Sequence, residues 1–190
     1  MGKMSRGSDW RLREAQRRAA TGLRGTSDNI AKLKNRVDIA ALRGLVLGVK
    51  QVRRDMDDVP PKIPVDTNNL RLSFFIVTST ARIERGTAPK FNDKNQDQSA
   101  VTISHAQAVT EAVVKAQEKS NRGPVVALGF GAYYALYVHE KTGTFFGLPT
   151  SGRSRWKRPG SGPKFLEAHV KRNSNFIKAS VMEEIRKVIS

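Results

Sequence analysis

The residues best suited to chemistry in this sequence are its three histidines. His139 and Glu140 match the start of the zinc-protease pattern, which needs a second histidine one helical turn later, but position 143 is glycine. No spacing puts two of His105, His139 and His169 on one face of a helix as metal ligands. The sequence therefore predicts packed or surface histidines and no metal bound by them.

A cluster of carboxylates, Asp55, Asp57 and Asp58, is the second candidate for a metal site. Neither a histidine nor a further acidic cluster accompanies these residues, although a cation site needs several ligands. Nearby basic residues are expected to neutralise the carboxylates, namely Lys50, Arg53 and Arg54. We therefore predict no metal at this cluster.

Sequence patterns for cofactor binding and nucleophilic catalysis are incomplete. Gly129-Phe130-Gly131 follows a predicted strand, as in a dinucleotide fingerprint, but position 134 is tyrosine and no acidic residue follows at the required distance. The chain also lacks a phosphate-binding loop and the G-x-S-x-G elbow of serine hydrolases. We predict that the protein is not an enzyme and uses no cofactor.

Net charge is the most pronounced property of the composition. The 190 residues include 34 Lys and Arg against 17 Asp and Glu, which gives a net charge of +17. Such an excess predicts a polyanion or an acidic protein surface as partner, and says nothing about fold. The chain has no cysteine, no apolar leader and no uncharged apolar run of membrane-spanning length, so we expect no disulfide, no classical secretion signal and no membrane contact.

Two segments hold many of the basic residues. Residues 1–26 form a basic N-terminal arm, interpreted either as a solvated helix or as an arm that docks on nucleic acid or a neighbouring subunit. Residues 150–172 form the densest basic patch of the sequence. The candidate DNA-binding or partner-binding residues in the two segments are Arg11, Arg13, Arg17, Arg18, Arg153, Arg155, Trp156, Lys157 and Arg158.

A long helix is the strongest structural prediction. Gly22 and Gly25 are expected to end the arm, and a new helix to start after an N-cap at Ser27 or Asp28. Apolar residues then recur every three to five positions as far as residue 57. Two further glycines within this helix permit a bend or close packing, namely Gly44 and Gly48.

Residues 60–75 are predicted to form a corner between this helix and a sheet. Three prolines stop the helix, and short polar residues that favour turns follow them. Asp66 is expected to accept backbone hydrogen bonds across the corner, and a long strand is predicted over residues 70–85. The corner motif comprises Pro64, Asp66, Thr67, Asn68, Leu70, Arg71 and Ser73.

The remaining sequence predicts two helices and one strand. A capping box from Ser104 to Gln107 predicts a helix that ends near Lys119, and residues 124–131 have the composition of a buried strand. An amphipathic C-terminal helix is predicted from about Pro163. These elements are assigned to one domain, residues 27–190, with extended loops at 84–100 and 141–163.

Three motifs, in this order along the chain, resemble a known family. The first is the corner motif, and the last is Pro163-Lys164-Phe165-Leu166-Glu167-Ala168 before the final helix. Between them lies the tyrosine motif, comprising Tyr134, Ala135, Tyr137, His139, Glu140, Gly143 and Thr144. With these motifs, residues 30–190 resemble the neck proteins of tailed bacteriophages, the head-tail connector or tail-completion family. The chain departs from that family in having Asn68 at a usual glycine position and Lys141-Thr142 before Gly143.

The resemblance implies an α+β domain in which a small mixed β-sheet packs against the long N-terminal helix. It implies a structural protein of the virion, a sixfold or twelvefold homo-oligomeric ring in the neck. The implied partners are the portal or adaptor ring, the tail-terminator or tail-tube proteins, and double-stranded DNA in the lumen, bound without sequence specificity because basic residues contact only its phosphates. The implied location is the neck of the virion, with assembly in the host cytoplasm.

A second interpretation explains the charge equally well. The protein would then be a freestanding nucleic-acid-binding protein, either an architectural DNA binder or a ribosome-associated protein, which grips phosphates with the arm and the basic patch. This alternative leaves the order of the three motifs unexplained.

Overall fold

The computed structural model describes residues 6–64, 69–90, 97–140, 144–145, 148–149 and 159–190. Helices make up most of this part of the chain, and a small three-stranded antiparallel sheet lies among them. The protein is therefore an α+β protein, as expected.

The first helix, α1, is uninterrupted over Arg6–Asp58. The predicted end of a basic arm at Gly22 and Gly25, and the new start after Ser27 or Asp28, are therefore wrong. Each glycine weakens a helix by only about 1 kcal/mol, and the Arg, Ala and Leu residues around them are good helix formers. The helix ends just before the prolines, as predicted.

The corner leads into a short helix and a hairpin. The elements are α2 (Asn69–Leu72), β1 (Phe74–Thr78) and β2 (Ile83–Arg85). A turn between β1 and β2 makes the predicted single strand over 70–85 wrong. The Thr78 hydroxyl accepts a hydrogen bond from the backbone N–H of Arg82 at 3.0 Å, and Ala81 adopts a left-handed φ of 59°.

A long helix and an edge strand follow, α3 (Gln98–Lys119) and β3 (Val126–Phe130). The cap of α3 is Asp97, whose side chain accepts a hydrogen bond from the N–H of Ser99 at 2.8 Å. The capping box predicted at Ser104 is wrong because this residue lies inside the helix, whereas the predicted end near Lys119 is confirmed. β3 is only half-buried, so the predicted full burial is also wrong.

The sheet has the strand order β2-β1-β3, and both pairings are antiparallel. The expected mixed sheet is therefore wrong. The turn between β1 and β2 is too short for a parallel crossover, and β3, which follows α3, also runs antiparallel to β1 on its other edge. Phe75 and Val77 pack with Val109 of α3 on one face. On the other face, Leu128 and Phe130 pack against the core cluster that includes residues of α1.

Five short or C-terminal elements complete the chain: α4 (Ala135–Glu140), β4 (Thr144–Phe145), β5 (Leu148–Pro149), α5 (Phe165–Arg172) and α6 (Ser174–Ile189). The single C-terminal helix predicted from Pro163 is thus two helices. Asn173 separates them, and its buried side chain donates to the Asp55 carboxylate at 2.8 Å and to the His169 carbonyl at 3.0 Å.

The predicted loops are shorter than expected at the places where the structure describes them. β2 and α3 occupy both ends of the 84–100 loop, and the β4–β5 hairpin lies within the 141–163 loop. In the described ranges, none of the helices combines the length and the apolar character that a bilayer crossing needs.

The main helix contact joins α1 to α6, which run antiparallel. A methyl group added to Gly44 would lie 2.5 Å from Cα of Val181, and one added to Gly48 would lie 2.8 Å from the Ile177 side chain. The predicted close packing at these two glycines is confirmed. The guanidinium of Arg36 donates to the carbonyl of Val188 at 3.3 Å, and this is where α6 stops covering α1.

Candidate functional site

The corner motif is described only at its two ends. Asp66, Thr67 and Asn68 lie outside the described residues, so the bonding role expected of Asp66 stays a prediction. Pro64 is buried, and Leu70 belongs to the main core cluster. Pro64 and Leu70, at the two described ends of the motif, therefore pack into the interior of the protein.

Arg71 of the motif ties the corner to the end of α1. Its Nε lies 2.8 Å from Oδ1 of Asp57, and Nη1 of Arg53 lies 2.7 Å from Oδ2 of the same carboxylate. Arg53 also donates to the Arg71 carbonyl at 3.1 Å and lies 4.7 Å from the centre of the Phe74 ring. The neutralisation of Asp57 by Arg53 is confirmed, and Arg71 is an additional partner.

Asp55, in the same acidic cluster, also has structural partners. Asp55 accepts hydrogen bonds from Gln51 and Asn173, each at 2.8 Å. Lys50, expected to neutralise the cluster, instead pairs with Glu84 of β2 at 2.7 Å. Within the part of the chain that the structure describes, His, Asp and Glu form no group able to hold a metal ion.

Ser73, the last residue of the corner motif, connects the corner to the segment before the tyrosine motif. Its hydroxyl donates to the Leu70 carbonyl at 2.9 Å and accepts from the N–H of Ala132 at 3.2 Å. Its backbone carbonyl accepts from the N–H of Gly131 at 2.8 Å. These bonds saturate a fully buried hydroxyl, so Ser73 is structural.

The tyrosine motif forms α4 and contacts the third motif. Nδ1 of His139 lies 2.9 Å from a carboxylate oxygen of Glu140, and the other oxygen of Glu140 accepts a hydrogen bond from Nζ of Lys164. The backbone N–H of Lys164 donates to the His139 carbonyl at 2.8 Å, and the His139 ring meets the Phe165 ring edge-on at 5.1 Å. Gly143 lies outside the described residues, and only the backbone of Thr144 is described, in β4.

Charge pairing keeps Glu140 and Lys164 ionised in this contact. The Lys164 ammonium, with a smaller contribution from His139, holds the pKa of the Glu140 carboxyl below its usual value. The same pairing raises the pKa of the Lys164 ammonium above its usual value. Both groups are therefore charged at neutral pH, but the pair is solvent-exposed and contributes little to stability.

All three resemblance motifs meet in one core. One buried cluster contains Leu70 of the corner motif, Phe165 of the third motif, and Val138, which lies between Tyr137 and His139 of the tyrosine motif. Phe130 packs edge-on against Phe165 at 5.6 Å. The tyrosines lie at the edge of this core, because Tyr134 is half-buried and Tyr137 is exposed.

The predicted basic surface is described only in part. Arg153, Arg155, Trp156, Lys157 and Arg158 lie outside the described residues, so their predicted contact with DNA or a partner stays a prediction. Arg13, Arg17 and Arg18 are exposed on α1, where Arg18 pairs with Glu14 at 3.2 Å, and the backbone of Arg11 belongs to the same helix.

These arginines lie on a part of α1 that extends beyond the rest of the described chain. We call residues 6–35 of α1 the projecting segment, which is about 45 Å long at ~1.5 Å per residue. From residue 12 to residue 35 every side chain except Glu14 is exposed. The segment carries eight Lys and Arg against three Asp and Glu, a net charge of +5. The projecting segment is therefore an exposed cationic helix.

Arg172, counted with the basic patch in the sequence, instead holds the proline corner. It donates to the Pro60 carbonyl at 3.0 Å and to Nδ1 of His169 at 3.2 Å. Because a guanidinium only donates, His169 accepts at Nδ1, and its Nε2–H donates to the Pro61 carbonyl at 3.1 Å. This contact around the buried His169 was missed from the sequence, although the spacing of three residues on a helix puts both side chains on one face.

His105 is a second buried histidine that sequence reasoning did not single out for a role. It is 3% exposed, and neither ring nitrogen has a hydrogen-bond partner among the described residues. Burial, with a smaller contribution from the charge of Arg85, lowers the pKa of His105 below its ordinary value of 6.5. A methyl group on Gly131 would lie 1.9 Å from Nδ1 of His105, so only glycine fits against this ring.

No protein-family model, curated protein or solved structure matches this chain.

Proposed function

We propose that this protein is a structural protein of a tailed-phage virion, a ring in the neck that joins the DNA-filled head to the tail. The observation that carries the proposal is the shared core of the three resemblance motifs. Residues from all three lie in one buried cluster, although the motifs are separated by tens of positions in the sequence. Motifs that build one core are consistent with a single inherited fold.

The charge supports a role next to DNA. A ring lumen through which double-stranded DNA passes needs positive charge but no base-reading side chains, because phosphate contacts tolerate every sequence. The net charge of +17 and the exposed arginines of the projecting segment fit this requirement. The proposal includes no catalytic step and no cofactor.

The projecting segment supports a role in an assembly. The projecting segment adds nothing to the core of its own subunit. The subunits of a neck ring need surfaces that reach their neighbours. In the proposed assembly the neighbours are other copies in a sixfold or twelvefold ring, the portal or adaptor ring, and the tail-terminator or tail-tube proteins.

Sedimentation of tailed particles tests the proposal. Cells that produce tailed phage particles and carry this gene are lysed, and the particles are banded in a density gradient after nuclease treatment. We expect the protein to band with intact particles and to be missing from heads that have not received a neck. A protein that stays entirely in the soluble fraction would contradict the proposal.

A freestanding nucleic-acid-binding protein is the second candidate, and the exposed cationic helix is the observation that favours it. In that case the protein would sediment with ribosomes or nucleoid in cells that produce no phage particles. Nuclease treatment would release it, because its binding would depend on phosphates alone. The two functions are therefore separated by the particle with which the protein sediments.

A further inference from the structure

The face of the projecting segment opposite most of its arginines carries a regular apolar stripe. Its positions alternate in steps of four and three residues, which is the spacing of a coiled-coil seam. The three most exposed large members are Leu12 at 59%, Leu23 at 72% and Ile30 at 63%. The stripe comprises Leu12, Gln16, Ala19, Leu23, Thr26, Ile30, Leu33 and Val37.

Further along α1, the same series of positions already forms a helix–helix contact within the protein. The next positions in the same series are Ala40 and Gly44, and there α1 packs against α6, with Ala40 2% exposed. α6 covers the seam as far as Arg36, which bonds the carbonyl of Val188. Along residues 12–33 the same seam has no helix over it within the described chain. A second helix is therefore the kind of partner that fits.

We propose that residues 12–30 of α1 pair with the same segment of a second copy of this chain, as an antiparallel two-helix coiled coil. In an antiparallel pair, residues whose numbers sum to 42 face each other across the seam. Leu12 then packs against Ile30 of the partner subunit, Ala19 against Leu23 of the partner subunit, and Gln16 against Thr26 of the partner subunit. Large residues meet large or small ones, and the polar residues meet each other.

The flanking positions also fit a second copy. The flanking pairs are offset from the seam pairs: on one side of the seam the facing residues sum to 40, and on the other side they sum to 44. Arg13 therefore faces Ser27 of the partner subunit and Ala15 faces Asn29 of the partner subunit, while Ala20 and Gly22 each face their own copies. Within residues 12–30 no pair of like charges meets beside the seam. Arg17, Arg18 and Arg24 lie on the outer faces of the pair.

The position of α6 selects the antiparallel arrangement. α6 lies on the seam immediately beyond the stripe, so a parallel pair would bring the α6 helices of both copies to the same end of the seam. An antiparallel pair puts them at opposite ends. Nucleic acid does not fit the stripe itself, because phosphates bind cations and would leave the aliphatic side chains uncovered.

This pair does not rest on the neck assignment. A two-fold contact through the projecting segment joins two subunits and does not propagate around a sixfold or twelvefold axis, so in a ring it would be one contact among several and not the contact that closes the ring. The pair can be present in a protein that never enters a virion, and absent from one that does.

Sedimentation velocity of the full chain tests the pair, with nuclease-treated protein so that nucleic acid cannot bridge two cationic subunits. We expect a concentration-dependent dimer for the native sequence. The double variant Leu23→Gln with Ile30→Gln should sediment as a monomer at the same concentrations. The matched control, Arg17→Gln with Arg24→Gln, changes outward residues in the same region and should remain a dimer. Glutamine is a good helix former, so circular dichroism should show equal helix content in all three proteins.

Cysteine cross-linking tests the direction, because the chain has no native cysteine. A mixture of the single variants Ala19→Cys and Leu23→Cys should form a disulfide-linked dimer, whereas each variant alone should remain uncrosslinked. Self-linkage of either variant alone would show a parallel pair and overturn the proposal. A native chain that stays monomeric at every concentration, or a dimer that survives the Leu23→Gln and Ile30→Gln changes, would overturn it as well.

Discussion

The two halves of α1 have the same kind of sequence and opposite surroundings. Residues 36–58 pack against α6 and the core, and Val52 and Met56 there are almost completely buried. The projecting segment continues the same apolar stripe, but Leu23 and Ile30 are mostly exposed. One helix thus contains a half that its own subunit covers and a half that the described chain leaves exposed.

This contrast shows what helix periodicity can and cannot reveal. A stripe of apolar residues indicates that a helix face will be covered, but it does not indicate whether the cover comes from the same chain. Most of the stability of a helix in a protein comes from packing of that face. The projecting segment should therefore be the part of the helix whose stability depends most on partners.

Core truncation should separate the two halves most strongly. Phe165→Ala removes a fully buried ring that packs between Phe130 and His139, and should lower the free energy of unfolding by about 3–5 kcal/mol. Leu23→Ala, in the projecting segment, should change it by less than about 0.5 kcal/mol under conditions where the protein is monomeric. Urea unfolding followed by circular dichroism measures both, and equal losses would contradict the contrast.

Glycine replacement should have opposite signs in the two halves. Gly44→Ala forces a methyl group against the backbone of Val181 and should cost about 1–3 kcal/mol. Gly25→Ala meets nothing within 4 Å in the described chain and should increase helix stability by up to about 1 kcal/mol. Hydrogen exchange along α1 measures the local effect. Stabilisation by Gly44→Ala would show that α6 does not pack closely on α1.

The free energy of unfolding should depend weakly on pH. This dependence should come from His105 in α3 and not from the projecting segment, because residues 6–35 contain no histidine. His105 is buried with a lowered pKa, so above its ordinary pKa of 6.5 it is neutral in both states and its contribution to stability is complete. As the pH falls below 6.5, the unfolded state binds a proton that the folded state does not, and stability decreases.

The variant His105→Leu should reduce this slope, because it removes the titrating ring and two nitrogens that have no hydrogen-bond partner among the described residues. Urea unfolding on both sides of pH 6.5 compares it with the native sequence. An unchanged slope would assign the pH dependence to another group.

Local sequence patterns predicted the features that depend on a few neighbouring residues. The prolines stop α1, Gly44 and Gly48 allow close helix packing, and α3 ends at Lys119. The prolines lack a backbone N–H, the glycines lack a Cβ, and the apolar period of α3 breaks near Lys119. Each of these features can be read from one residue or from a few neighbouring residues. The α+β class followed from the resemblance.

The failures come from competition between local preferences and the rest of the chain. Gly22 and Gly25 were predicted to end a helix, but two small penalties do not outweigh the good helix formers around them. The hairpin inside the predicted long strand depends on the Thr78 hydroxyl, which bonds the Arg82 backbone four residues on. Arg172 was counted with the basic patch and Arg71 only with the corner motif, although each holds a partner that is distant in sequence.

The most direct test of the proposed function is electron microscopy of particles made without this protein. Deletion of its gene from a phage genome that encodes it should yield DNA-filled heads and separate complete tails, because the ring that joins them is missing. Expression of the native chain from a plasmid should restore joined particles. Normal numbers of joined, infectious particles in the absence of the protein would contradict the account.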